Sequence, residues 1–480
     1  MADSRSSHTG ALVLLVVALL LADSRAPGAD IAPLASTAPP APAAQAIQPL
    51  PDMALVPGLD PQAAALDIAT ALHAAGVNNM QTEIAEANLE GSLAMERQAY
   101  SLLYPTLTAS GGYSTVSSSD IPFGAAPAQT TNGTVQVSMN IFNAAAFPGV
   151  SAAKKNLQAQ RYTSRELERT LAFNVARSFL VIIATEQLLD AGSRRLAVAR
   201  QTVIDAKSRA GAGLASQNDA TRAQLTQATA QLTVTSDAQS VSSSRLALAQ
   251  LIGLPVVGPI AVAPEIIVPG RDEASLELLA LKNREDLASL RLQVEAQRKL
   301  ALSERLGLVP EVSVVGSYAD RNVTGNASLS AGILPAGDPV WTVGLNANWT
   351  IYDGGMHSGL ADAYNAAARQ IYAQYRDQCS ILHRDLATAL LALSSAEAAI
   401  IQSGVQVDVA RTNSREIQAR SAQGLATALD VADAIASQFE AEADYVQRAF
   451  TLQTDRLQLR NLVGYWPTSD AAPAGTVSDR

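Results

Sequence analysis

Cysteine is nearly absent: Cys379 is the only one in 480 residues. A single thiol excludes an internal disulfide and any metal site built on a cysteine cluster. Histidine is scarce too, and His8, His73, His357 and His383 form no His-x-x-x-His pair, so nothing calls for a metal or another cofactor. Aromatic residues make up 4% and charged residues 16%, against about 25% charged in an average soluble chain. The 34 Lys and Arg, against 44 Asp and Glu, never gather into a basic run, which excludes a nucleic-acid partner held through phosphates. What is abundant is small and apolar. Hydrophobic residues reach 48%, much of it alanine, which suits thin, extended helical packing better than a thick enzyme core.

The longest apolar run, residues 11–21, falls short of the roughly 20 residues a spanning helix needs. It follows Arg5 and His8, precedes Asp23, and reads as the hydrophobic region of a secretory signal within residues 1–29. Cleavage fits after Ala22 or near Ala26 to Ala29, and no cysteine follows that would carry a lipoprotein anchor. Residues 30–61 are rich in Pro and Ala and read as an extended leader; residues 467–480 form a tail of similar character. No later stretch gives 18 consecutive apolar residues, so no transmembrane helix is expected.

The chain repeats itself with a period near 205–211 residues. Tyr104-Pro105-Thr106-Leu107 matches Val309-Pro310-Glu311-Val312, and Tyr113 matches Tyr318. Ile141-Phe142-Asn143 matches Ile351-Tyr352-Asp353, Gly213-Leu214-Ala215-Ser216 matches Gly424-Leu425-Ala426-Thr427, and Leu251-Ile252-Gly253 matches Leu462-Val463-Gly464. Ordered coincidences of this kind indicate two copies of one unit, over residues 62–255 and 273–466. Each copy reads helix, strand, loop, strand, long helix, tight turn, helix. The first helix is expected over about residues 61–103 and its counterpart over about 273–308, stopped by Pro105 and Pro310.

Two strands alternate clearly. Over residues 134–141, Val135, Val137, Met139 and Ile141 alternate with Thr134, Gln136, Ser138 and Asn140; over residues 341–351, Trp341, Val343, Leu345, Ala347, Trp349 and Ile351 do the same. One apolar and one small polar face fit a transmembrane β-barrel, although a half-buried sheet of a soluble domain has the same pattern. Tyr113, Tyr318, Trp341, Trp349 and Tyr352 lie toward strand ends, as lipid-interface aromatics would, and residues 117–131 and 324–338 are polar connecting loops. Four strands cannot close a spanning barrel, and open edges are forbidden in hydrocarbon. If the strands span a bilayer, the chain must therefore associate; three copies would supply twelve strands.

Residues 153–210 contain no proline and one glycine, Gly192, enough for roughly 85 Å of helix. Ile182, Leu189, Leu196, Val203 and Ala210 recur every seven residues, as do Leu393, Ile400 and Val407, which specifies coiled-coil packing. Glycines at 211, 213 and 424 then turn the chain back.

On these residues the chain resembles the TolC-type outer-membrane efflux protein family. The resemblance is carried by the duplicated Gly213-Leu-Ala-Ser216 and Gly424-Leu-Ala-Thr427, by Asp430-Val-Ala-Asp433, by Phe142-Asn143 and Tyr352-Asp-Gly-Gly355, and by Lys282-Asn-Arg-Glu-Asp-Leu287. It implies a mostly α fold with a membrane β part: a homotrimer with a twelve-stranded β-barrel in outer-membrane lipid, continued by a periplasmic α-helical barrel. It implies a non-enzymatic exit duct joined through a periplasmic adaptor protein to an inner-membrane pump, proton-driven or ATP-driven. It assigns Asp430 and Asp433 to the periplasmic aperture, and the tips Gly213, Leu214, Ala215, Ser216 and Gly424, Leu425, Ala426, Thr427 to the adaptor. Where some members carry an arginine latch, two residues past Gly424, this chain has Ala426. The competing readings are the outer-membrane component of a type I protein secretion system, a periplasmic coiled-coil scaffold, and an exported enzyme. For the last, no nucleophile–base pair or metal cluster has recognisable spacing.

Overall fold

The computed structural model describes residues 64–116, 128–262, 265–324 and 339–468. The expected signal, the leader, most of the two loops and most of the tail lie outside the described residues. α1 (Ile68–Asn78) and α2 (Met80–Ser101) lead into β1 (Thr106–Val116) and β2 (Ala128–Phe142), then α3 (Ala146–Gly211) and α4 (Gln217–Ile252). The order recurs as α5 (Glu273–Asn283), α6 (Glu285–Leu306), β3 (Glu311–Thr324), β4 (Val340–Asn348), α7 (Met356–Ala422) and α8 (Ala428–Val463).

Each expected first helix is in fact two. The chain breaks at Asn79 (φ −81°, ψ 132°) and at Arg284 (φ −70°, ψ 115°), both extended. Asn79 caps α2, its Oδ1 accepting from Gln81 N at 2.7 Å, while its Nδ2 donates to Leu251 O at 2.7 Å. The break is where the return helix of the same repeat ends. α4 and α8 finish in left-handed glycines, Gly253 and Gly464, and these sit against Asn78 and Asn283 so closely that a Cβ would lie 2.7 Å from Asn78 Cβ and 3.0 Å from Asn283 Cβ. An uninterrupted helix would run its side chains into those turns.

The duplication extends to the cores. One cluster gathers α1, α3 and α4 around Leu171, Val175, Ile182 and Leu248; the other gathers α5, α7 and α8 around Leu382, Leu386, Leu393 and Leu459. These four pairs are counterparts in the two repeats. The seven-residue seam faces inward as expected: Ile182, Leu196, Val203, Leu393 and Val407 are buried. α6 packs between α3 and α7, α2 lies against α3, and α8 lies against α3. Stretches of α3 and α7 are apolar enough to cross a membrane by length and composition alone, but the apolar side chains of α3 fill its repeat's core.

The four strands form one antiparallel sheet in the order β1-β2-β3-β4. β4 ends at Asn348, three residues short of the expected strand. Its last partner is Glu311, and the residue before that, Pro310, has no N–H to extend the ladder.

Candidate functional site

The sheet register sorts the side chains into two faces. Leu107 pairs with Val137, which pairs with Gly316 and then Val343; Ala109 pairs with Val135, then Tyr318, then Trp341; Met139 pairs with Val314, then Leu345. All of these share one face, by the two-residue period of a strand. The other face carries Thr108, Gln136, Ser317 and Thr342 in one row, and Asn140, Ser313 and Asn346 in another. Hydroxyls bond across that polar face, Thr106 Oγ1 to Ser138 Oγ at 2.8 Å and Ser317 Oγ to Thr342 Oγ1 at 2.7 Å. Val135, Val137, Met139, Val343 and Leu345 remain exposed in the single chain, so the apolar face has no protein cover.

The expected lipid-interface aromatics fall at two levels. Tyr113, Tyr318 and Trp341 lie toward the loop end of the apolar face, Tyr318 directly paired with Trp341. Trp349 and Tyr352 lie beyond the end of β4 and not within it, both exposed, with Trp349 Nε1 donating to Leu308 O at 3.1 Å. The eight residue steps from Trp341 to Trp349 span about 26 Å along the strand, about 20 Å of height at the roughly 40° tilt of an outer-membrane barrel strand, which fits within its apolar band.

At the far end of the long helices are two hairpin tips of the same build. Gly213 (φ 73°) and Gly424 (φ 77°) adopt the left-handed conformation. Leu214 N donates to Arg209 O at 2.8 Å and Leu425 N to Arg420 O at 2.9 Å, leaving the leucine side chains 80% and 67% exposed. Ser216 and Thr427 are the N-caps of α4 and α8, each in a capping box with Asp219 or Asp430. The Ser-x-x-Asp and Thr-x-x-Asp spacing is a sequence signature of such a box, and it gives Ser216, Thr427 and Asp430 a structural task that the aperture and adaptor assignments alone do not convey. Asp430 Oδ2 accepts from Thr427 N and from Thr427 Oγ1, each at 2.8 Å, and these bonds hold its carboxyl below the ordinary aspartate range. Asp433, three residues on, is exposed on α8. Its counterpart in the first repeat is Arg222, so the acidic pair belongs to the second hairpin alone.

The outer membrane efflux protein model matches this chain twice, over residues 64–254 and 278–465. The chain belongs to the outer membrane efflux protein family. It is accordingly an outer-membrane protein reaching into the periplasm, of a family of non-enzymatic, trimeric efflux channels that work with pump partners. No curated protein matches it by sequence. Among solved structures it is similar to CusC, studied for the conformational changes that accompany its folding and transmembrane channel formation, with TM-score 0.71 and 18% identity over 86% of this chain and 97% of that one. It is also similar to the CmeC outer membrane channel of Campylobacter jejuni, with TM-score 0.72 and 14% identity over 85% and 87%. The open state of the MtrE outer membrane channel of Neisseria gonorrhoeae gives 0.69 and 18% over 85% and 91%. Likenesses at these identities establish the fold of this efflux protein: a duplicated, mostly helical chain with a membrane sheet.

Proposed function

We propose that three copies of this chain form the exit duct of a tripartite efflux pump. The sheets would complete a twelve-stranded barrel and the helices a periplasmic tunnel. The observation that carries this reading is the uncovered apolar face of the sheet, which between Trp341 and Trp349 fits within the apolar band of an outer-membrane barrel and is continuous with helices of 66 and 67 residues. A soluble scaffold has no use for such a face. The exposed leucines of the two tips are the surface offered to a periplasmic adaptor, which joins the duct to an inner-membrane pump that supplies the energy. Asp430 and Asp433 ring the periplasmic aperture, which opens as helix pairs splay. Three acidic pairs around a narrow opening favour cations and bind multivalent ones.

Asp433 is the cleaner test, because changing Asp430 also removes half of the capping box of α8. In planar bilayers containing the purified trimer, Asp433→Asn lowers cation preference, read as the reversal potential in a KCl gradient, and weakens block by divalent cations. A reversal potential identical to wild type removes Asp433 from the aperture.

A further inference from the structure

The hairpins α3/α4 and α7/α8 meet along α3 and α8, and a buried carboxylate ties them. The Glu442 side chain on α8 is 9% exposed. Its Oε1 accepts from Arg411 Nε of α7 at 2.9 Å and from Gln438 Nε2 at 3.1 Å, and its Oε2 from Arg194 Nη2 of α3 at 3.2 Å. Arg194 also pairs with Asp190, one turn back on α3. Burial pushes the Glu442 carboxyl up, but the bonds from Arg411, Gln438 and Arg194 more than offset it and hold it below the ordinary glutamate range. All four long helices converge here. Arg195 lies over the Phe439 ring at 4.8 Å, and a Cβ on Gly192 would sit 3.0 Å from Asp237 Oδ2 of α4.

Toward the tips the polar coupling thins. At 1.5 Å per residue the node stands about 20 Å above the second tip and about 28 Å above the first. Over that length the first hairpin keeps a core of its own, Val203 and Ala206 on Ala220 and Ala223. Among the described residues, one polar link joins the hairpins below the node, Arg209 Nη2 to Ala422 O at 3.4 Å.

We propose that the Arg194–Glu442–Arg411 node is the pivot about which the two hairpins of one chain splay: above it they move as one body, below it the tips part. The proposal rests on the duct reading. Separating the hairpins at the node would break the Arg194–Glu442 pair and lift Arg195 off the Phe439 ring, while Glu442 keeps Arg411 and Arg194 keeps Asp190. Parting the tips breaks one polar link, that long, exposed hydrogen bond. Arg194 is the arm that crosses between hairpins, whereas Arg411 bonds within its own. Arg194 is therefore a positioning residue, and its loss lengthens the segment free to move.

The test is the resting conductance of purified trimers in planar bilayers. Arg194→Gln raises conductance and current noise roughly fivefold or more, the low end for coupling between sites, while Arg194→Lys stays within about twofold of wild type. In a Cys379→Ala background, Arg194→Cys with Glu442→Cys conducts like Arg194→Gln. Bridging the two thiols with a short reducible linker restores the wild-type level, and reductant releases it. Wild-type conductance in Arg194→Gln, or a rise in the cysteine pair that bridging does not reverse, overturns the pivot. Should Arg194→Gln fail to assemble, the bridged and reduced states of the cysteine pair, compared on one sample, decide alone. A wild-type trimer that passes no current overturns the duct reading and the pivot with it; a conducting wild type with an indifferent Arg194→Gln sinks only the pivot.

Discussion

Glu285, in the first turn of α6, faces Arg165 at 3.8 Å with little of its side chain in water. Burial pushes its carboxyl up to about 7, against the pull of Arg165, and Glu166 adds to the rise. Because the folded pKa lies above the ordinary value of 4.5, the folded chain holds a proton that the unfolded chain gives up between those two values. This group therefore stabilises the fold progressively as pH falls from about 7 to 4.5, and opposes folding in its ionised form above that window. Glu285→Gln should melt about 2–4 °C higher than wild type at slightly alkaline pH, with the gap closing toward pH 4.5. A constant gap across a calorimetric pH series would mean that burial does not set this carboxyl's titration. Nothing in the run Lys282–Leu287 announces such a shift. It arises because packing buries the start of α6, with Glu166 and Glu168 of α3 adding to the rise.

Among the elements, the instructive contrast is how helices end. Gly213 and Gly253 both have positive φ, 73° and 70°. At the tip a Cβ on Gly213 meets nothing within 4 Å, whereas on Gly253 it would meet Asn78 Cβ at 2.7 Å and Asn78 O at 2.9 Å. Gly213→Asn should therefore be nearly neutral, since asparagine tolerates the left-handed region. Gly253→Asn adds a backbone clash and should cost about 2 kcal/mol or more. Thermal melts of the two variants check this; equal losses would show that the packing of α1 against the end of α4 contributes nothing. The two glycines look alike in sequence. The difference is the second helix that packs on only one of them.

For the molecule as a whole, the sheet leaves β1 and β4 each with an unpaired edge, and hydrocarbon does not tolerate such edges. The duct reading predicts a detergent-extracted particle with three times the mass of one mature chain by multi-angle light scattering. It also predicts that brominated acyl chains quench the fluorescence of Trp341 and Trp349 while sparing Trp466, which sits where α8 ends and whose carbonyl accepts from Arg460 at 3.0 Å. A monomer, or three tryptophans quenched alike, would defeat it. On the duct reading Val343 and Leu345, exposed in one chain, are covered by lipid, and the edges are covered by the neighbouring copies.

Local pattern was enough for much of this. Alternation along 134–141 named the apolar face, because a strand's side chains obey a two-residue period wherever the strand goes. Spacing by seven named the seam through Ile182 and Leu196, because helix geometry carries it without reference to a partner. The paired glycines named the tips. What the chain's own order left open depends on residues far apart in sequence. The breaks at Asn79 and Arg284 exist because Gly253 and Gly464 arrive there from another helix. The end of β4 at Asn348 is set by where its partner β3 begins. Glu442, unremarked among the acidic residues of α8, becomes a junction only when α3 lays Arg194 across it. Periodicity is a property of one segment, but a buried charge finds its counter-charge in three dimensions, and only the packed helices decide which one.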